Sequence, residues 1–120
     1  ELGITIQGDG SDKLDFTYVD DLINGIYLIL NNPKALNQTF NITFGEGRSI
    51  GDLAEILRNH FNDINITYEP KDTLTPDRGT LSIQKAKKLL NYSPINSIDV
   101  GYPKYINWYK NFWKKVEINQ

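Results

Sequence analysis

Arg78 is the side chain in this sequence best placed to do chemistry. It shares a turn with Gly79 and opens onto an amphipathic stretch, within the run DRGTLSIQKAKKLLNYSP from Asp77 to Pro94. A guanidinium held in a turn just ahead of a capped helix is positioned to fork onto a phosphate or a carboxylate. A solvated surface arginine is the plainer alternative. Two other groupings invite a chemical reading and resist it. Gly45-x-Gly47-x-x-x-Gly51, followed by Glu69, imitates a dinucleotide-binding fingerprint. Its spacing is one residue too long, and Gly51 falls inside a helix after the cap, so a packing role is expected. Near the end of the chain, Tyr102, Tyr105, Trp108, Tyr109, Phe112 and Trp113 interleave with Lys104, Lys110, Lys114 and Lys115. Such interleaving suits a stacking platform for single-stranded nucleic acid, or a membrane surface. The helical spacing of Tyr105, Trp108, Tyr109 and Phe112 instead predicts one buried stripe with charged flanks.

The elements that must position these groups follow from pattern and punctuation. Ile4 to Gln7 alternates as a short strand, and Gly8-Asp9-Gly10-Ser11 reads as a turn. Extended structure resumes from Asp15 to Val19. A helix is expected from Asp20-Asp21, whose carboxylates suit its positive end, through Leu30 and no further than Pro33. Thr39 to Phe44 is expected as a strand. Ser49 with Asp52 forms a capping box opening an amphipathic helix that carries Ile50, Leu53, Ala54, Leu57 and Phe61. Ile64 to Glu69 reads as another strand, and residues 70 to 76 as a polar loop delivering the chain to Arg78. Ser82 is the expected N-cap of a helix bearing Ile83, Ala86, Leu89 and Leu90, with Asn91 as a left-handed exit and Pro94 forbidding continuation. Ser97 caps the last, aromatic helix, and residues 116 to 120 are expected to fray.

Composition bounds the function classes. The 120 residues suffice for a single domain or fragment, and 39% hydrophobic with 23% charged residues is ordinary for a globular protein. A net charge of −2 supplies no basic field to draw the chain to nucleic acid or membrane, so neither is an expected partner. Without cysteine there is no disulfide framework and no thiolate zinc site, and His60 is the sole histidine. No apolar run is long enough to span a bilayer and no signal peptide is evident, so a cytoplasmic location is expected. A first residue of Glu1 rather than methionine reads as a fragment or processed chain.

Three sets of residues, in order, carry a resemblance: Gly8-Asp9-Gly10-Ser11 with Asp15-Phe16-Thr17-Tyr18-Val19-Asp20-Asp21-Leu22; Asn41-Ile42, Gly45 and Ser49; and Arg78-Gly79-Thr80-Leu81 through Lys85-Ala86, Leu89-Leu90, Tyr92 and Pro94. Together they resemble the C-terminal part of nucleotide-sugar epimerases and dehydratases, the extended short-chain dehydrogenase/reductases typified by UDP-glucose 4-epimerase. The resemblance implies a mixed α/β (α+β) substrate-binding portion with short strands, about four helices and no Rossmann core. It implies that Arg78 reaches the diphosphate of a UDP-, dTDP- or GDP-linked sugar. It further implies that Thr5 and Gln7 border the nucleotide base and that Phe16 lines the sugar pocket, although an ordinary strand face and a buried aromatic explain these residues as well. Asp21 matches the family pattern, and helix capping accounts for it. Leu14 departs from that pattern, which has arginine there; its loss removes a charge-assisted clamp worth roughly 1.5–3 kcal/mol. Neighbouring Lys13 is a point charge that cannot reproduce the fork.

The family uses NAD on an N-terminal glycine-rich unit and a Tyr-x-x-x-Lys pair. Neither occurs in this chain, so no catalytic residue and no cofactor site are assigned to it. The expectation is therefore the substrate-side portion of such an enzyme, inert alone. A free-standing binding or interaction module derived from the same family is the second reading. With the cofactor domain absent, the apolar faces of 21–30 and 39–44 are expected to be exposed and to drive self-association.

Overall fold

The computed structural model describes residues 2–61, 63–72, 74–76 and 78–118, the side chains of Leu2 and of 116–118 excepted. Two small sheets and four helices make a mixed α/β fold, as expected. Strand β1 (Leu2–Gln7) pairs in parallel with β4 (Ile64–Glu69), placing Thr5 opposite Thr67 and Gln7 opposite Glu69. A parallel pair requires a long crossover, and here the crossover holds most of the other elements. Strand β2 (Lys13–Asp15) pairs antiparallel with β3 (Gly47–Ser49) inside it. Helix α1 spans Val19–Leu30, one residue earlier than expected. Helix α2 spans Ile50–Arg58 and opens on the expected capping box, with Ser49 Oγ accepting from Asp52 N at 3.0 Å and Ser49 N donating to Asp52 Oδ2 at 3.0 Å. It ends short of Phe61, where the amides of His60 and Phe61 both turn back to the Leu57 carbonyl.

Helix α3 covers Gln84–Leu90 and leaves through Asn91 at φ 54°, the left-handed exit expected. Its N-cap position is Ile83 rather than Ser82, whose hydroxyl stands 3.5 Å from the Gln84 amide. Side chains of Ile83, Ala86, Leu90 and Tyr92 form the principal core with Ala35 from a single 3-10 turn. Phe40 and Ile42 pack onto that core from outside. Gly25 of α1 lets the chain approach closely, since a Cβ there would collide with Ile42 and meet Tyr92 Cε2 at 3.2 Å.

Four sequence expectations are corrected. Thr39 to Phe44 is extended but is not a strand, because no other segment offers a ladder. Its polar groups bond singly instead, Asn41 Nδ2 donating to the Ser82 carbonyl at 3.0 Å and Tyr92 Oη to the Thr43 carbonyl at 3.1 Å. Asp21 does not cap α1. It is buried within the helix's first turn, and its carboxylate accepts from Ile95 N (3.1 Å), Asn96 N (2.9 Å) and Asn96 Nδ2 (3.1 Å). The aromatic stripe of α4 (Ile98–Ile118) is not buried: Tyr105, Trp108, Tyr109, Phe112 and Trp113 are each between 43% and 57% exposed. Only the first half of α4 packs, through Ile98, Gly101 and Ile106, because the α2 side of the body ends at Phe61. Lastly, α4 continues through Ile118, so residues 116 to 118 are helical rather than frayed; 119 and 120 lie outside the described residues.

Truncating Asp21 would strand three donors in the interior. Asp21→Ala is expected to cost about 3 kcal/mol in urea unfolding, against near neutrality for Asp20→Ala on the exposed side. Tyr92 gives a pH test. Burial first, then the charges of Asp21 and Asp15, push its phenol up from 10.0 to about 12. Below the unfolded value both states hold the proton; above it the unfolded state releases it first, so stability falls as pH rises from 10 towards 12. Tyr92→Phe should flatten that alkaline limb, read by chemical unfolding at several pH values.

Candidate functional site

Arg78 stands on the loop between β4 and α3, exposed, and its guanidinium makes no hydrogen bond or ion pair with any described residue. The loop around it is tethered on both sides. Before it, Lys71 Nζ pairs with Asp12 Oδ1 at 2.7 Å. After it, Leu81 N donates to Asp15 Oδ2 at 3.3 Å, while Asp15 Oδ1 accepts from Gly45 N at 3.1 Å. Thr80 lies over Gly47 of β3, where any side chain would meet its hydroxyl. Thr73 and Asp77, on the same loop, lie outside the described residues.

The β2–β3 register decides which cations face this loop. Leu14 is opposite Arg48, so those two share one face; Lys13 and Asp15 share the other, where Leu81 and Thr80 cross. Arg48 is fully engaged, Nε donating to Asp52 Oδ2 at 3.1 Å and the two terminal nitrogens to the Asp99 carboxylate at 2.6 and 3.3 Å. Asp99 first, and Asp52 second, raise its pKa further above the ordinary arginine range. It clamps α2 to the start of α4 and is not available to a ligand. Its i, i+4 spacing to Asp52 was the one sequence signal for this pairing. Lys13, by contrast, is exposed and makes no ion pair among the described residues.

The other expected site residues are placed apart. Thr5 and Gln7 are exposed on β1, and the Thr5 hydroxyl is 3.2 Å from that of Thr67 across the sheet. Phe16 is half-buried and lines an open, largely apolar cavity of about 290 Å3 with Tyr18, Leu53, Ile98, Tyr102 and Tyr105. No hydrogen bond or ion pair among the described residues joins Arg78 to Thr5, Gln7 or Phe16.

The α2 N-terminus does not fit a dinucleotide. Its first-turn amides are already taken: Ile50 N donates to the Asp12 carbonyl at 2.9 Å, Gly51 N to the Gly10 carbonyl at 2.8 Å, and Asp52 N to Ser49 Oγ. An anion site at a helix start needs those donors free. Gly51 is instead the packing glycine expected, its missing Cβ leaving 3.3 Å to the Gly10 carbonyl oxygen. His60 is structural as well, its Nδ1 donating to the Ile56 carbonyl at 2.8 Å. Among the described residues no cluster of metal-ligating groups forms, and no helix is long and apolar enough to cross a membrane.

The model of the NAD dependent epimerase/dehydratase family matches residues 1–43. A UDP-glucuronate 4-epimerase of Thermodesulfobacterium geofontis (strain OPF15) is 36% identical over 92% of this chain and 34% of its own length. Among solved structures, an epimerase of Methanothermobacter thermautotrophicus superposes with a TM-score of 0.89 at 26% identity, over 97% of this chain and 35% of that one. The UDP-glucuronic acid 4-epimerase of Bacillus cereus, solved in complex with UDP-glucuronic acid and NAD, gives a TM-score of 0.82 at 30% identity, over 92% and 36%. This chain thus spans about a third of the length of each. By sequence and by fold, it belongs to the NAD dependent epimerase/dehydratase family.

Proposed function

We propose that this chain is the C-terminal, substrate-side portion of an NAD-dependent nucleotide-sugar epimerase or dehydratase. It binds the nucleotide diphosphate through Arg78 and does not carry out the redox step alone. One observation carries the reading: Arg78 is an uncommitted guanidinium on a loop whose two ends are tethered to the flanks of β2. A tethered loop loses less entropy when its arginine grips an anion, so binding energy is retained. Lys13 faces the same side and adds a second, weaker positive charge where Leu14 supplies none. The related Bacillus cereus enzyme was solved with UDP-glucuronic acid and NAD, which supports a UDP-linked sugar as the first ligand to try. NAD belongs, in this reading, to the two-thirds of such enzymes that this chain does not span, and the setting is cytoplasmic. Thr5 and Gln7 would then border the base and Phe16 the sugar.

Calorimetric titration with UDP-, dTDP- and GDP-sugars tests this. Saturable binding to one of them is expected, weakened by roughly 10- to 100-fold in Arg78→Ala, as for loss of a charge-assisted fork. Absence of heat with all three, or equal affinity in the variant, would remove Arg78 from the role.

Self-association belongs to the same reading. Helix α1 turns Val19, Ile23, Ile26, Tyr27 and Leu30 to solvent, each at least 47% exposed, while its other side packs at Gly25. Those positions recur at helical spacing and form an apolar face of the kind that the rest of the enzyme, or a second copy, would cover. Sedimentation of the isolated chain at micromolar concentration should show species above monomer, shifted back by Ile26→Lys. A monomeric mass throughout would count against it.

A further inference from the structure

We infer that the aromatic face of α4 is a docking surface for an anionic lipid membrane, lying in the plane of the interface rather than crossing it. At 3.6 residues per turn, Tyr102, Tyr105, Trp108, Tyr109, Phe112 and Trp113 fall within an arc of about 140°. Lys104 and Lys115 border that arc on one side, Lys110 and Lys114 on the other, and Asn107 and Asn111 lie opposite. Aromatic residues backed by flanking lysines are the composition of an interfacial helix, whose rings seat at headgroup depth while the ammonium groups meet lipid phosphates.

Charge identifies the occupant. No acidic residue stands between Asp99 and Glu117, so this segment is locally basic within a chain of net charge −2. Lys104 and Lys110 direct their ammonium groups to neutral oxygens, Asn96 Oδ1 at 2.6 Å and the His60 carbonyl at 2.7 Å, which leaves their charges uncompensated. A second copy laid on the same face would set lysine against lysine. Single-stranded nucleic acid would need open ring faces. Here the rings cover one another along the helix: Tyr102 on Tyr105 at 6.3 Å, Tyr105 on Trp108 at 5.8 Å and Trp108 on Phe112 at 5.5 Å, all stacked. A negatively charged, fluid apolar boundary accepts both the rings and the lysines.

Both tryptophans of the chain, Trp108 and Trp113, lie on this face, so their emission reports on it directly. The 120-residue chain should show a blue shift and co-sediment with vesicles of phosphatidylcholine containing phosphatidylglycerol, less so at high salt, and much less with phosphatidylcholine alone. Lys110→Ala with Lys114→Ala should lower the partition coefficient roughly 20-fold, about fivefold per lysine. Trp108→Ala with Phe112→Ala should lower it as well without changing the circular dichroism, since both side chains are exposed. Ile26→Lys on α1 should leave it intact. The inference fails if neither vesicle type binds, or if both bind equally and independently of salt. It fails equally if the Ile26→Lys variant abolishes partition, which would trace the effect to α1. Emission already blue-shifted in the free chain and dependent on its concentration would assign the face to a second copy. Preferential binding of an oligonucleotide would assign it to nucleic acid.

Discussion

Two carboxylates six residues apart hold this fold together. Asp15 and Asp21 bracket the segment Phe16 to Asp20, and each accepts backbone amides from parts of the chain far away in sequence. Asp15 takes Gly45 and Leu81; Asp21 takes Ile95 and Asn96. A protein with two two-stranded sheets and long irregular connections has many amides without a ladder partner. A carboxylate offers several lone pairs and strengthens each bond with its charge, so one side chain satisfies what would otherwise be several orphaned donors. Remove either aspartate and the connections to the Arg78 loop or to α4 lose their anchorage. The same two charges, with burial, are what raise the Tyr92 phenol to about 12 at the centre of the core.

That anchorage sorts the basic groups into those that hold structure and those left for a ligand. Arg48 and Lys71 are tied to carboxylates and locate α2, α4 and the loop. Arg78 and Lys13 are left uncommitted on the side of β2 where the loop crosses. Helix α2 illustrates the converse. Its start has the glycines of a phosphate cradle, but neighbouring carbonyls and its own capping serine consume the amides a phosphate would need. Availability of donors, more than the presence of glycine, separates a cradle from a packing turn.

Two apolar helix faces remain uncovered, and they differ in chemistry. That of α1 is mainly aliphatic, rising from an acidic first turn, with no basic residue in its last turn. That of α4 is aromatic and edged by lysines. An aliphatic face gains only by excluding water, which another protein surface does well. Rings with polar edges and lysine flanks gain additionally from a wet, anionic boundary. One chain thus presents two surfaces suited to different neighbours.

Local grammar determined a good deal here. The capping box of Ser49 and Asp52, the left-handed Asn91, the alternation of Ile64 to Glu69 and the helix after Val19 all obey interactions closed within a few residues, so they could be read directly. The family was legible for a similar reason, since its motifs are short and contiguous. What the chain alone did not decide was whatever depends on a distant partner. Thr39 to Phe44 has the residues of a strand but meets no other strand. The α4 stripe has the periodicity of a core helix but outruns the body that would bury it. Asp21 has the position of a helix-terminal acid, yet its bonds go to residues 95 and 96. Periodicity reveals that a face is apolar and propensity that a segment is extended. Only tertiary structure supplies the surface or the ladder that completes them, because burial and pairing are properties of two segments and not of one.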